Sequence, residues 1–221
     1  MSSVTQAERV YHEIRQRILE AHYRPGTHYS EAVLARVHHA SRTPVREALG
    51  QLLEQGYVEH EVGRGWSVAP VTLARIRDTF EVRRLLETAG AARAAELATE
   101  AEVTAMRALA ADATEVNDRE SYLAALAHNL HFHLAVAAAS HNEMLVDLVH
   151  RCLTHMDRVL ALGIDYTPFQ EVSSAHHQAI VDAIAARDAV RAHTAMAQHV
   201  DESGDLLMRA VVSGAVRGVE A

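Results

Sequence analysis

The run Ser41-Arg42-Thr43-Pro44-Val45-Arg46-Glu47-Ala48-Leu49 opens a helix. Pro44 suits its first turn, because the N–H that proline lacks would have no intrahelical partner there. Thr43 or Ser41 can cap it. Val45, Leu49, Leu52 and Leu53 then recur at helical spacing, and Gly56 stops the run. Upstream, Ser30 precedes Val33, Leu34 and Val37, which predicts a short helix with Ser30 as its N-cap. Further upstream, Val10, Ile14, Ile18 and Leu19 predict an amphipathic helix from about residue 5 to 21, ended by Arg24-Pro25-Gly26. Downstream, Tyr57–Val62 and Trp66–Val68 have strand character, with the tight turn Gly63-Arg64-Gly65 between them.

Helix, short helix, turn, helix and hairpin is the order of a winged helix-turn-helix. In that arrangement the third helix enters a DNA major groove by its N-terminal residues. Here those are Ser41, Arg42, Thr43 and Arg46. Guanidinium can take a guanine edge or a phosphate in a bidentate way, and hydroxyls suit phosphates. Gly63, Arg64 and Gly65 at a hairpin tip would let backbone and guanidinium approach a neighbouring groove. A helical interaction module with an ordinary capped helix has the same local pattern.

The chain has 221 residues, 49% hydrophobic and 23% charged, enough for a packed core and too apolar for wholesale disorder. Three of its four prolines lie in residues 1–70, which predicts a domain boundary near Pro70 and a second domain over 71–221. All 21 basic residues are Arg; none is Lys. The first 70 residues balance eight Arg against eight acids, so the net charge of −8 belongs wholly to the second segment. A neutral DNA-binding segment relies on a few placed Arg, with salt-sensitive affinity and a dimer to add contacts. The single Cys152 excludes an internal disulfide, and its apolar helical surroundings predict a buried, inert thiol. No stretch approaches a membrane span or a signal peptide, so a cytoplasmic protein without membrane contact is expected.

Residues 71–221 predict six helices in an antiparallel bundle. Thr72 opens the first and Thr99 with Glu102 boxes the second. Asp118 and Asn142 cap the third and fourth, Gly163 and Pro168 break the chain before the fifth, and Arg187-Asp188 precedes the sixth. Ten of the 16 His fall here. Asn129 and His133 share a helix face, His177 precedes an apolar face, and His199 lies on the last helix among apolar neighbours. Three inward imidazoles with one oxygen ligand would make a bundle-core site for zinc, nickel, copper or iron.

Pro25-Gly26, Ser30-Glu31, Leu34-Ala35, the Ser41–Leu49 run, Gly56-Tyr57-Val58 and Gly63–Gly65 together resemble the N-terminal domain of GntR-family transcription regulators, FadR-like branch. The resemblance implies operator contacts by Arg42, Thr43 and Arg46, with Gly63–Gly65 as the wing. Two positions depart from it: His39 stands where the family usually has Gly, and Ala32 where it often has a basic residue. Glu81-Val82-Arg83, Leu86-Glu87, Phe132-His133, Ser140-His141-Asn142, His177 and His199-Val200 resemble the FCD ligand-binding domain of that branch. That implies a divalent metal, zinc or nickel foremost, held by Asn129, His133, His177 and His199, with Asn129 replacing the family's Asp. A metal-free pocket using the same His is the alternative. Arg83 then becomes an anchor for a small carboxylate effector. The resemblance covers about residues 8 to 205 and implies a homodimeric regulator, most often a repressor, on a palindromic operator in double-stranded DNA. The other class is a metal-dependent hydrolase or lyase, which leaves the Ser41–Leu49 run without a purpose.

Overall fold

The structure is a computed structural model and describes residues 5–111, 116–161 and 167–213. Three helices come first: α1 (Gln6–Leu19), α2 (Glu31–Val37) and α3 (Arg42–Glu54). Thr5 and Glu8 close a reciprocal capping box on α1. The Ser30 side chain caps α2 by accepting from the Val33 N–H. Ser41 holds the extended N-cap position of α3, yet neither it nor Thr43 caps through its side chain. Pro44 in the first turn already removes one of the N–H groups that a cap would satisfy.

The hairpin forms from β2 (Val58–Glu61) and β3 (Gly65–Val68), with Gly63 and Gly65 both at positive φ. A third strand, β1 (His28–Tyr29), pairs antiparallel with β3, giving the order β1-β3-β2. Two residues carry no period, which is why the sequence pattern missed it. Val10, Ile14, Leu34, Val45, Leu49 and Leu52 join Tyr57, Trp66 and Val68 in one core under this sheet. His39 sits at φ 48°, the left-handed turn that glycine would adopt without strain.

Six helices follow: α4 (Leu73–Leu97), α5 (Glu100–Ala111), α6 (Arg119–Ala138), α7 (Glu143–Ala161), α8 (Thr167–Ala185) and α9 (Ala189–Val212). Thr72, Thr99 with Glu102, Asp118, Asn142 and Asp188 each take the capping hydrogen bond that starts the next helix. Pro168 falls in the first turn of α8; the Gly163 break lies outside the described residues. The α4 helix packs against α9, α7 and α6, so its small residues Gly90, Ala91, Ala94 and Ala95 are buried on several sides. That many-sided burial gives α4 no single apolar face. Cys152 is half-buried rather than buried, and burial pushes its thiol pKa up, away from reactivity.

The two segments touch through α7. Arg158 donates from Nη1 to the Gly56 carbonyl at 3.0 Å and from Nη2 to the Ala69 carbonyl. Gly56 has φ 77°, and a Cβ there would meet His155 Nε2 at 2.9 Å. Glycine thus serves both the left-handed end of α3 and the close approach of α7. Arg119 of α6 adds a donation to the Leu19 carbonyl at 2.7 Å.

Candidate functional site

Ser41, Arg42 and Thr43 are exposed together at the N-terminus of α3, where unpaired N–H groups and the helix dipole favour anions. Arg46 is one turn on and also exposed, but its fork is engaged. Its Nε and Nη2 donate to the two carboxylate oxygens of Glu31 on α2, at 3.0 and 2.7 Å. Hydrogen bonding by Arg46, and by Trp66 Nε1 at 3.4 Å, holds the Glu31 carboxyl below its ordinary pKa. The wing's Arg64 lies at the hairpin turn beside Glu61, 3.3 Å away. These residues therefore fall into two groups, the α3 end and the wing tip.

Inside the bundle, α6, α8 and α9 bring His133, His177 and His199 together. One ring nitrogen from each lies within 4.8 Å of the others, and the three residues are 1%, 5% and 1% exposed. The ring of Phe132 stacks on His177 with centroids 3.7 Å apart, which fixes that imidazole's plane. The Nδ1 of His133 faces Glu87 Oε2, so its Nε2 is turned inward, 3.1 Å from His199 Nε2. Glu87 accepts from Arg83 Nε at 2.6 Å as well. Burial would raise the Glu87 pKa, but Arg83 and His133 outweigh it and hold it down at about 2. His177 Nε2 and His199 Nδ1 are buried, with no hydrogen-bond partner among the described residues. Burial, then the neighbouring imidazoles, push both rings well below the ordinary His pKa, so both stay neutral.

A neutral imidazole with a free lone pair is what a transition metal takes, and an orphaned ring nitrogen is costly without one. The residues therefore fit a divalent cation. Glu87 behind His133 is the carboxylate that fixes tautomer and raises basicity in such sites. Asn129 and Arg83 both line the small cavity of about 30 Å³ beside His133 and His199, enough for an ion or a water or two. Asp157 lines it too. Its carboxyl is buried, and burial raises its pKa from the ordinary 3.8 to about 7. Glu87 was visible in sequence only as part of Leu86-Glu87, with no role attached; its i,i+4 spacing from Arg83 was the usable signal. Nothing in the pattern marked Asp157.

The folded chain is thus a winged-helix protein carrying a helical domain with a buried His cluster. It matches the families described as "Bacterial regulatory proteins, gntR family" over residues 6–68 and "FCD domain" over residues 78–202. It is 30% identical to the Uxu operon transcriptional regulator of Escherichia coli K12, covering 91% of this chain and 88% of that one. It is 26% identical to the HTH-type transcriptional repressor RspR of the same organism, covering 88% and 86%. Among solved structures, E. coli McbR/YncC superposes with a TM-score of 0.76 at 19% identity, over 95% of this chain and 100% of that one. A putative GntR regulator from Rhodococcus sp. RHA1 superposes with 0.73 at 25%, over 92% and 98%. The chain belongs to the GntR family of transcriptional regulators and carries an FCD domain. These relatives are named as transcriptional regulators, which speaks against the hydrolase or lyase reading. No helix among the described residues is long and apolar enough to cross a membrane.

Proposed function

We propose that this regulator is a cytoplasmic homodimer that represses transcription and is released by a small carboxylate. Residues 1–70 form the DNA-binding domain, and residues 71–221 the effector-binding and dimerisation domain. Ser41, Arg42, Thr43 and Arg46 contact a palindromic operator in the major groove, and Gly63, Arg64 and Gly65 follow the neighbouring groove. For Arg46 this means exchanging the Glu31 carboxylate for a phosphate or guanine edge, a swap between acceptors of the same fork geometry. Asn129, His133, His177 and His199 hold a divalent metal, zinc or nickel. When bound, that cation supplies positive charge that can take a carboxylate oxygen. Arg83 is the second anchor, held in place through Glu87. An effector acts only by favouring one arrangement of the two domains over another.

The observation that carries this reading is the convergence of three buried imidazoles, one ring nitrogen each of His133, His177 and His199 lying within 4.8 Å of the others. Metal analysis of the purified full chain should find about one divalent ion per chain, since three converging imidazoles make one site. The double variant His133→Ala/His177→Ala should lose it. Full metal content in that variant, or none in the wild type, would contradict the site.

A further inference from the structure

A second cavity lies outside the His cluster. It is a cleft of about 300 Å³ between α1 of the winged helix and α6 and α7 of the bundle. Leu19, Leu123 and Leu126 give it an apolar lining, while Arg15 and Asp157 are its charged walls. Asp157 also lines the His cavity, so it partitions the two spaces.

Among the described residues, neither charge is paired with an opposite one. Arg15 donates from Nε to the Tyr57 hydroxyl at 2.9 Å. A guanidinium has four further N–H donors, and no other described group is bonded to those of Arg15. Asp157 is 7% exposed, and among the described residues its carboxyl has no hydrogen bond or ion pair. Both charges act on each other through space, yet they do not meet as an ion pair. A lone anion in the cleft would face Asp157, and a lone cation would face Arg15. A ligand carrying both charges on an apolar body satisfies both walls. Pockets of this volume, apolar with a few polar groups, concentrate at domain interfaces.

We infer that the cleft binds a free apolar amino acid. Its carboxylate rests on Arg15, its ammonium on Asp157, and its side chain against Leu19, Leu123 and Leu126. The ammonium would supply the counter-charge that keeps the buried Asp157 carboxylate ionised. Because the ligand spans α1 and α7, it would brace the DNA-binding segment against the bundle. None of this depends on the His cluster or its metal.

The test is calorimetry on the full chain with L-leucine, 4-methylpentanoate and isopentylamine. Leucine should bind, and each analogue, lacking one charge, should bind about tenfold more weakly or worse. Ala127→Trp fills the cleft from an exposed position on α6, and Gln16→Trp does so from α1. Either should weaken leucine about tenfold or more, with folding checked by circular dichroism. Arg15→Gln, which keeps a donor for Tyr57, should weaken leucine likewise. No leucine binding at about 10 mM, well above ordinary metabolite affinities, would overturn the inference. So would leucine affinity unchanged in the folded tryptophan variants, or 4-methylpentanoate binding as tightly as leucine.

Discussion

Glu87→Ala lowers the stability of the protein by about 3–5 kcal/mol at pH 7, the cost of stripping a buried ion pair of one partner. Glu87 is the shared acceptor of two buried donors, Arg83 Nε and His133 Nδ1. Arg83 is itself 4% exposed, so its cation would lose the carboxylate that it is bonded to, with only the more distant Asp157 nearby. Glu87→Gln keeps the shape and an acceptor oxygen and should lose less. The wild-type contribution also has a pH signature. The Glu87 pKa is depressed from 4.5 to about 2, so its stabilisation is complete above about pH 4.5 and disappears as pH falls toward 2. Denaturant unfolding of both variants measures this. A loss under about 1 kcal/mol for Glu87→Ala, the size of a surface pair, would mean the triad carries no structural weight.

Asp157→Asn has the opposite sign. The Asp157 pKa is raised from 3.8 to about 7, so the folded state holds a proton that the unfolded state releases over that window. Stability from this group is full below about pH 3.8 and is lost as pH rises through 7. The neutral amide avoids the buried negative charge, so the variant should exceed the wild type by about 3–4 kcal/mol at pH 9. The two should be level at pH 3.5, below both values. Unfolding free energies at those two pH values, without added amino acid, check it. Equal stability at pH 9 would show that the carboxyl is solvated rather than buried.

Much of this was legible in the chain itself. The caps Ser30, Thr72, Asp118, Asn142 and Asp188 are small polar residues before apolar periods, a local signal that tertiary packing did not override. The three clustered His were legible as inward positions on three helices. What was hidden is set by contacts distant in sequence. Glu87 gains its role only when α6 delivers His133, 46 positions away. The bond from Arg158 to the Gly56 carbonyl spans 102 positions. Asp157 looks like any polar residue on a helix until two cavities form on either side of it. The Arg46 pair with Glu31 joins two helices whose side-chain register no periodicity records.

The proposed DNA-reading role of the α3 N-terminus has a direct test. The direct measurement is the affinity of the full chain, wild type and Arg46→Ala, for a duplex that the wild type selects from a random-sequence pool, against a scrambled duplex at fixed salt. The Arg46–Glu31 pair is exposed, so its loss costs little stability and cannot mimic a binding defect. Two copies of the substitution in a dimer should reduce specific affinity about a hundredfold or more, with the scrambled duplex nearly unaffected where Arg46 takes a guanine edge and weakened alike where it takes a phosphate. Specific affinity within about threefold of wild type, less than the loss of one base contact, would contradict the assignment of α3 as the recognition helix.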